Sequence, residues 1–206
     1  MSTKGQEITP QIDPMIDWLQ KLVETQDRGT LAELRRGLTL EREQLHVLYS
    51  VIPSGYLEYR GWRGKYERDE TERRFMLASL FALHPVSFTR SELGARRRNI
   101  GDSLRLLALR RHEWRGAGDV PDDSLLPDPL KRRMDALLAS RNEDLFEHLR
   151  HVIRLLKSEE VPVDWDQLLR DLRRWDDVDR NVQWRWSRSF YVGYSERQKG
   201  GEANVS

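Results

Sequence analysis

Apolar positions recur along most of this chain at steps of three and four, the spacing of one face of an α-helix. Met15, Trp18, Leu19, Leu22 and Val23 form the first such stripe. Asp13-Pro14 predicts where its helix starts, because a carboxylate can accept from free N–H groups and proline is preset for the first turn. Thr30 and Glu33 have the spacing of a capping box, and Gly37 is placed to stop that second helix. Leu45, Leu48, Tyr49 and Ile52 make another stripe, closed by Pro53-Ser54-Gly55. Residues 56–66 mix Tyr, Trp and Gly and read as a loop with aromatic anchors. A longer helix is expected from about 69 to 83, burying Phe75, Met76, Leu80 and Leu83 and ended by His84-Pro85. Thr89 with Glu92 offers a second capping box, and 93–114 reads as helix interrupted near Asn99-Ile100-Gly101.

The pattern breaks at 115–127, where Gly116, Gly118, Pro121 and Pro127 stand among three Asp. Beyond it Asp128-Pro129 repeats the opening signal, followed by Leu130, Met134, Leu137 and Leu138. Asn142 is placed to cap the next helix, with Leu145, Phe146, Leu149, Val152, Ile153 and Leu156 inward. Asp164 with Gln167 gives the clearest box, with Val163 able to staple to Leu168; Leu169, Leu172 and Trp175 complete that face. A last helix from about 178 to 192 carries Val178, Val182, Trp186 and Phe190. No alternating strand pattern is present. The expected fold is all-α, two packed helical bundles joined by a Pro/Gly/Asp-rich linker. The expected boundaries are a flexible tail at 1–12, an N-terminal lobe at 13–114, the linker at 115–127, a C-terminal lobe at 128–194 and a flexible tail at 195–206.

Composition narrows the function. The 206 residues carry 35 Lys+Arg against 34 Asp+Glu, so a generally basic nucleic-acid binder is not indicated. Among the cations Lys is rare (4, 21, 65, 131, 157 and 199) and Arg dominates. Arg offers a planar fork that matches phosphate oxygens; a GC-rich genome would also enrich it. With no Cys, disulfides, thiolate metal sites and thiol catalysis are excluded. No apolar run approaches the roughly 20 residues of a membrane span, and Met1–Ile12 lacks a signal-peptide stretch, so a soluble, cytoplasmic protein is expected.

Candidate chemistry is sparse. There is no Gly-rich phosphate loop and no nucleophile elbow. His148 and His151 lie three apart beside Glu147, which is part of a metal-ligand pattern or else a solvated helix face. An enzyme is not expected, and neither a metal nor another cofactor. The basic residues are better organised. Arg150, Arg154 and Lys157 share a helix face at i, i+4 and i+7, and Arg170, Arg173 and Arg174 do so at i, i+3 and i+4. Arg96, Arg97 and Arg98 form a run, and Arg35-Arg36 precede Gly37. Such tracks suit a phosphate backbone; they equally suit a solvated face. Trp18, Trp165, Trp175 and Trp186 fall on apolar stripes, whereas Trp62, Trp114 and Trp184 are left to pack in the core, against a partner or on a nucleobase.

The C-terminal pattern has a further reading. It runs Asn142-Glu143-Asp144-Leu145-Phe146, His148-Leu149-Arg150, Arg154-Leu155-Leu156-Lys157, Val163-Asp164-Trp165, Leu168-Leu169, Asp171-Leu172, Trp175 and Trp186-Ser187-Arg188-Ser189-Phe190-Tyr191. Together with Trp18-Leu19, Thr30 to Gly37 and Asn99 to Leu104, it resembles the CasB family, the small subunit of the type I-E CRISPR Cascade complex. The resemblance spans about 15–191 and rests on order and spacing; 53–68 and 115–127 match nothing in it. It implies an all-helical, non-catalytic subunit in antiviral defence. Two copies would lie along a backbone filament that holds the guide RNA, near the large subunit. They would bind the displaced single-stranded DNA and so stabilise the R-loop, the state a helicase-nuclease partner recognises. Arg36 matches a basic position after the first helical hairpin, and Arg150 and Arg154 match basic positions before the Asp-Trp pair. Arg96, Arg97, Arg98, Lys157, Arg170, Arg173 and Arg174 join them on stripe geometry alone. The competing expectations are a helical protein–protein adaptor with no nucleic-acid contact, a free-standing regulator, for which no reading head is evident, and a metal hydrolase built on the two histidines.

Overall fold

The computed structural model describes residues 12–40, 42–57, 65–93, 96–114 and 126–192. The α-helices are α1 (Pro14–Glu24), α2 (Arg28–Arg36), α3 (Lys65–Leu83), α4 (Arg90–Leu93), α5 (Ile100–Trp114), α6 (Asp128–Ala139), α7 (Asn142–Lys157), α8 (Trp165–Arg173) and α9 (Asn181–Tyr191). Three 3₁₀ segments, Gly37–Thr39, Arg42–Ser50 and Ser54–Tyr56, lie between α2 and α3. Among the described residues no strand forms, and Ser87 and Val163 make a single isolated bridge. The fold is all-α, as expected. The expected tails and most of the linker fall outside the described residues.

The predicted caps are realised in part. Asp13 caps α1, its carboxylate accepting from the Met15 N–H at 3.0 Å. Thr30 is not the cap of α2. Asp27 is, accepting from the Thr30 N–H at 3.0 Å and the Thr30 hydroxyl at 2.7 Å, while Glu33 turns to Arg36. Thr89 and Glu92 close their box, with bonds of 2.7 and 3.2 Å. Asp128 and Asn142 are first helical residues rather than caps, and α6 and α7 have no side-chain N-cap. Asp164 caps α8 through the Gln167 N–H at 3.0 Å, but the Gln167 amide reaches forward to Asp171 at 2.8 Å instead of back. Val178 lies in the turn before α9 and is 97% exposed, so it is not part of the last stripe.

Two further departures have simple causes. The stripe at 45–52 folds as 3₁₀ helix over Arg42–Ser50. Three residues per turn keep Leu45 and Leu48 inward and rotate Tyr49 out, leaving it 58% exposed with one edge on Phe75. Gly37 does not end α2 in the left-handed region; its φ is −54° and the chain continues into a 3₁₀ turn. Its glycine is needed because an added Cβ would lie 2.2 Å from the Ser79 hydroxyl of α3.

The helices on either side of 115–125 share one apolar core. α3 packs on α7 and α8, and α5 packs along α9. Trp165, Trp175 and Trp186 are buried in it, while Trp18 is half-buried and stacks on Tyr56 at 5.4 Å. Polar ties cross the same seam. Buried His84 shares a 2.7 Å hydrogen bond between Nε2 and the Val161 carbonyl, and the Val163 N–H donates to the Val86 carbonyl at 3.1 Å. Asp13, Glu70, Arg74 and Arg173 form a buried ion cluster, with Arg74–Asp13 at 2.9 Å, Arg74–Glu70 at 2.9 Å and Arg173–Glu70 at 2.6 Å.

Candidate nucleic-acid interface

Arginine serves this fold in two internal ways. Some guanidiniums donate to carbonyls at helix C-termini, which have no partner within their helix. Arg35 reaches Ala82 O of α3 at 2.9 and 3.0 Å, Arg105 reaches Phe190 O of α9 at 3.1 Å, and Arg110 reaches Glu159 O after α7 at 2.9 Å. Arg180 does the same for Leu138 O of α6. Others neutralise carboxylates that the core has partly stripped of water.

Several of the sequence-selected cations belong to that second group. Arg96 donates to Asp102 at 2.8 Å and to the Ser189 hydroxyl at 3.1 Å. Arg97 bridges Asp164 at 2.7 Å and Asp166 at 2.6 Å. Arg98 differs: its backbone N–H donates to Asp164 at 3.2 Å, while its guanidinium reaches the Glu92 carbonyl at 3.5 Å. Arg170 is held by Asp166 at 3.0 Å, and Arg173 belongs to the buried cluster. Arg97 and Arg98 therefore lie against the start of α8 and Arg96 against α5 and α9, all half-buried, and the stripe of α8 does not stand free. Arg174 is exposed and paired to Asp177 at 3.1 Å; Arg36 is exposed and paired to Glu33 at 2.7 Å.

The α7 stripe also divides. Arg150 turns to the Leu38 carbonyl at 2.7 Å and to Glu147. Arg154 and Lys157 are exposed and make no ion pair among the described residues. Spacing put the three cations on one face, but each long side chain follows whatever tertiary neighbour lies within its reach.

Arg154 opens into a groove of about 630 Å³ between α6 and α7. Arg132 and Arg133 line it from α6, His148, His151 and Arg154 from α7, with Ala136, Val152 and Leu155 as its apolar part. No carboxylate among the described residues lines it. Asp135, the acid nearest Arg132 along α6, is taken instead by the Tyr191 hydroxyl, which burial and then this carboxylate push up to about 12. Sequence reasoning missed Arg132 and Arg133. Their signal was faint, the end of the three-cation run Lys131-Arg132-Arg133 after Pro129, and only packing shows that they face α7. The two histidines stand beside three guanidiniums whose charge opposes a metal cation, and no group of three potential metal ligands forms among the described residues.

Burial acts on the carboxylates that hold these arginines. It pushes Asp164 up, against the Gln167 N–H and the Arg97 charge, and pushes Asp171 up, against the Trp186 indole, which donates at 2.6 Å, and Arg185 at 2.8 Å. For Asp13 burial also pushes up, but Arg74, the Met15 N–H and Arg173 together outweigh it and the group lies below its ordinary 3.8. Of the uncertain tryptophans, Trp62 is outside the described residues and the side chain of Trp114 is not described. Trp184 is 61% exposed, with the Arg188 guanidinium 5.6 Å from its ring centre.

A family model described as CRISPR-associated protein Cse2 matches residues 30–191. The chain belongs to the Cse2 family. That span contains nearly all the segments that carry the CasB resemblance. A Cse2 protein of Thermus thermophilus is 28% identical over 193 residues, covering 92% of this chain and 96% of its own. The crystal structure of M. ruber CasB is similar at 26% identity, over 83% of this chain and 88% of that one, with a TM-score of 0.57. A chain of a structure described as a CRISPR RNA-guided surveillance complex shares the fold at 22% identity, over 92% and 96%, with a TM-score of 0.65. No helix among the described residues of this Cse2-family chain is long and apolar enough to cross a membrane.

Proposed function

We propose that this chain is a non-catalytic small subunit of an RNA-guided DNA-surveillance complex of the type I-E CRISPR Cascade kind. In that complex it binds the displaced non-target single strand and stabilises the R-loop. Membership of the Cse2 family supports the assembly. The backbone filament, the large subunit, the guide RNA and a second copy of the chain are its expected neighbours there.

The observation that carries strand binding is the contrast among the cations. Arg96, Arg97, Arg170 and Arg173 are tied to buried carboxylates, whereas Arg154 and Lys157 stand exposed without an ion pair among the described residues. Replacing a DNA duplex by an RNA–DNA heteroduplex is close to thermoneutral, so a few phosphate contacts on the released strand bias the exchange without base readout. Arg36 and Arg174 can add to such a track by exchanging an exposed carboxylate for a phosphate.

The test is a reconstituted complex carrying Arg154→Ala with Lys157→Ala. R-loop lifetime is expected to shorten and its salt dependence to weaken, with the subunit still incorporated. Unchanged lifetime and salt dependence would leave the adaptor reading, which draws on exposed Trp184 and Val178 as a protein-facing edge.

A further inference from the structure

We infer that Tyr191 is a positioning residue: by holding Asp135 on the α9 side of α6, it leaves the Arg132 guanidinium free for a phosphate. The inference rests on the reading that this subunit holds a nucleic-acid strand on its unpaired cations, and it names what keeps one of them unpaired.

Exposed cations elsewhere in the chain pair with acids three or four residues away, because those positions lie side by side on a helix. Lys21 pairs with Asp17 at 2.7 Å, Arg36 with Glu33 at 2.7 Å and Arg174 with Asp177 at 3.1 Å. Arg132 and Asp135 have the same order and spacing as Arg174 and Asp177. They do not pair. Arg132 is exposed, lines the groove beside Arg133 and opposite Arg154, and makes no ion pair or hydrogen bond with a described residue.

Tyr191 accounts for the difference. Its hydroxyl donates to Asp135 Oδ1 at 2.5 Å. The tyrosine is itself fixed. Its ring packs edge-on against buried Phe190, with 4.8 Å between ring centres. The Arg105 guanidinium of α5 donates to the Phe190 and Tyr191 carbonyls at 3.1 and 3.4 Å. The last side chain of α9 is thereby aimed at α6. Asp135 lies about 60° round that helix from Arg132, on the flank that meets α9. Pro129, Arg132, Arg133 and Ala136 line the groove from α6, and Asp135 does not. A carboxylate anchored on that flank does not swing to the guanidinium. Burial and then the Asp135 carboxylate push the phenol up to about 12, so it remains a donor throughout the neutral range. The hydroxyl leaves the charge of Asp135 in place and acts by direction alone. Lys131, four residues before Asp135, is the other cation within reach, and it does not line the groove.

The experiment compares R-loop lifetimes in reconstituted complexes carrying Tyr191→Phe, Asp135→Asn or both, and Tyr191→Phe again in an Arg132→Ala background. Tyr191→Phe keeps the ring and its packing, and melting temperatures of the isolated chains check that the fold is kept. Tyr191→Phe is expected to shorten the lifetime about two-fold, the weight of one exposed pair three residues apart. The double variant is expected to match Asp135→Asn alone, because without the carboxylate the hydroxyl has nothing to hold back. In the Arg132→Ala background Tyr191→Phe is expected to change nothing, since residues acting through one another are not additive. A shortening that persists with Asp135→Asn or with Arg132→Ala would make Tyr191 merely structural, or route Asp135 to Lys131, and overturns the inference. So does a wild-type lifetime for Tyr191→Phe. Arg154→Ala with Lys157→Ala, run alongside, separates the two failures. If that variant shortens the lifetime and Tyr191→Phe does not, only the role of Tyr191 is lost; if neither does, strand binding falls as well.

Discussion

At the scale of single residues, environment decides chemistry that residue type leaves open. His84 marked only a helix end in the sequence, yet it is 2% exposed and bonded to the Val161 carbonyl at 2.7 Å. Burial, its main influence, pushes its pKa below the ordinary 6.5 against the pull of that carbonyl, so the native ring is neutral and Nε2–H donates. The unfolded imidazole therefore takes up a proton first as pH falls. Stability is full above 6.5 and is lost as pH drops from there through the folded value. Denaturant melts of wild type between pH 7.5 and pH 5 are expected to show that decline, and His84→Gln, which keeps an amide donor, is expected to flatten it. An equal decline in both proteins would mean that other groups cause it. The arginines teach the same lesson. Arg154 and Arg173 are alike in sequence, one exposed on a helix face and one bound to Glu70 at 2.6 Å.

At the scale of elements, periodicity located the helices well and their close contacts poorly. Asp13-Pro14, Asp164 and the stripes of α7 and α8 are local signals, formed within four residues, and they fold as expected. The interruption read near Asn99-Ile100-Gly101 falls just before α5, but Gly101 itself is not part of the break. It is instead a helical residue of α5, started by Asn99, whose side chain accepts from the Gly101 N–H at 2.9 Å. Its missing Cβ lets α9 approach, since an added Cβ would lie 2.1 Å from the backbone oxygen of Trp186. In an open helix Gly→Ala stabilises; here the obstacle is backbone and cannot rotate away. Gly101→Ala is expected to cost roughly 1–3 kcal/mol by overpacking, read as a lower denaturation midpoint. A neutral or stabilising result would show that α5 and α9 can move apart cheaply.

At the scale of the whole molecule, charge ties the two halves of the sequence together. Asp13, Glu70, Arg74 and Arg173 come from the lead into α1, from α3 and from α8, and the Arg74 and Glu70 side chains are only 4% and 5% exposed. Removing one member leaves a buried partner uncompensated. Arg173→Ala is therefore expected to cost on the order of 3 kcal/mol, whereas Arg154→Ala should stay within about 0.5 kcal/mol; equal effects would contradict the division between internal and free cations. The cluster also resists acid. Asp13 lies below its ordinary 3.8, so its contribution is present above that value and is lost as pH falls through the folded one. Asp164 and Asp171, raised by burial, act with the opposite sign and limit the stabilisation gained as pH rises past 3.8.

What the sequence determined by itself is local. The 3.6-residue period, the acidic caps and the order of Leu, Trp and Arg along 30–191 were enough for an all-helical chain and for its family, because helices are specified by neighbours three and four apart. The interface was only half visible for the complementary reason. An arginine's meaning is set by what its long side chain reaches, and the partners here lie far along the chain. Asp166 lies 69 residues from Arg97, Glu70 lies 103 from Arg173, and Leu38 lies 112 from Arg150. Only packing α6 against α7 brought Arg132 and Arg133 opposite Arg154, and only packing α3 and α5 against α7, α8 and α9 drew Arg96, Arg97 and Arg173 into the fold.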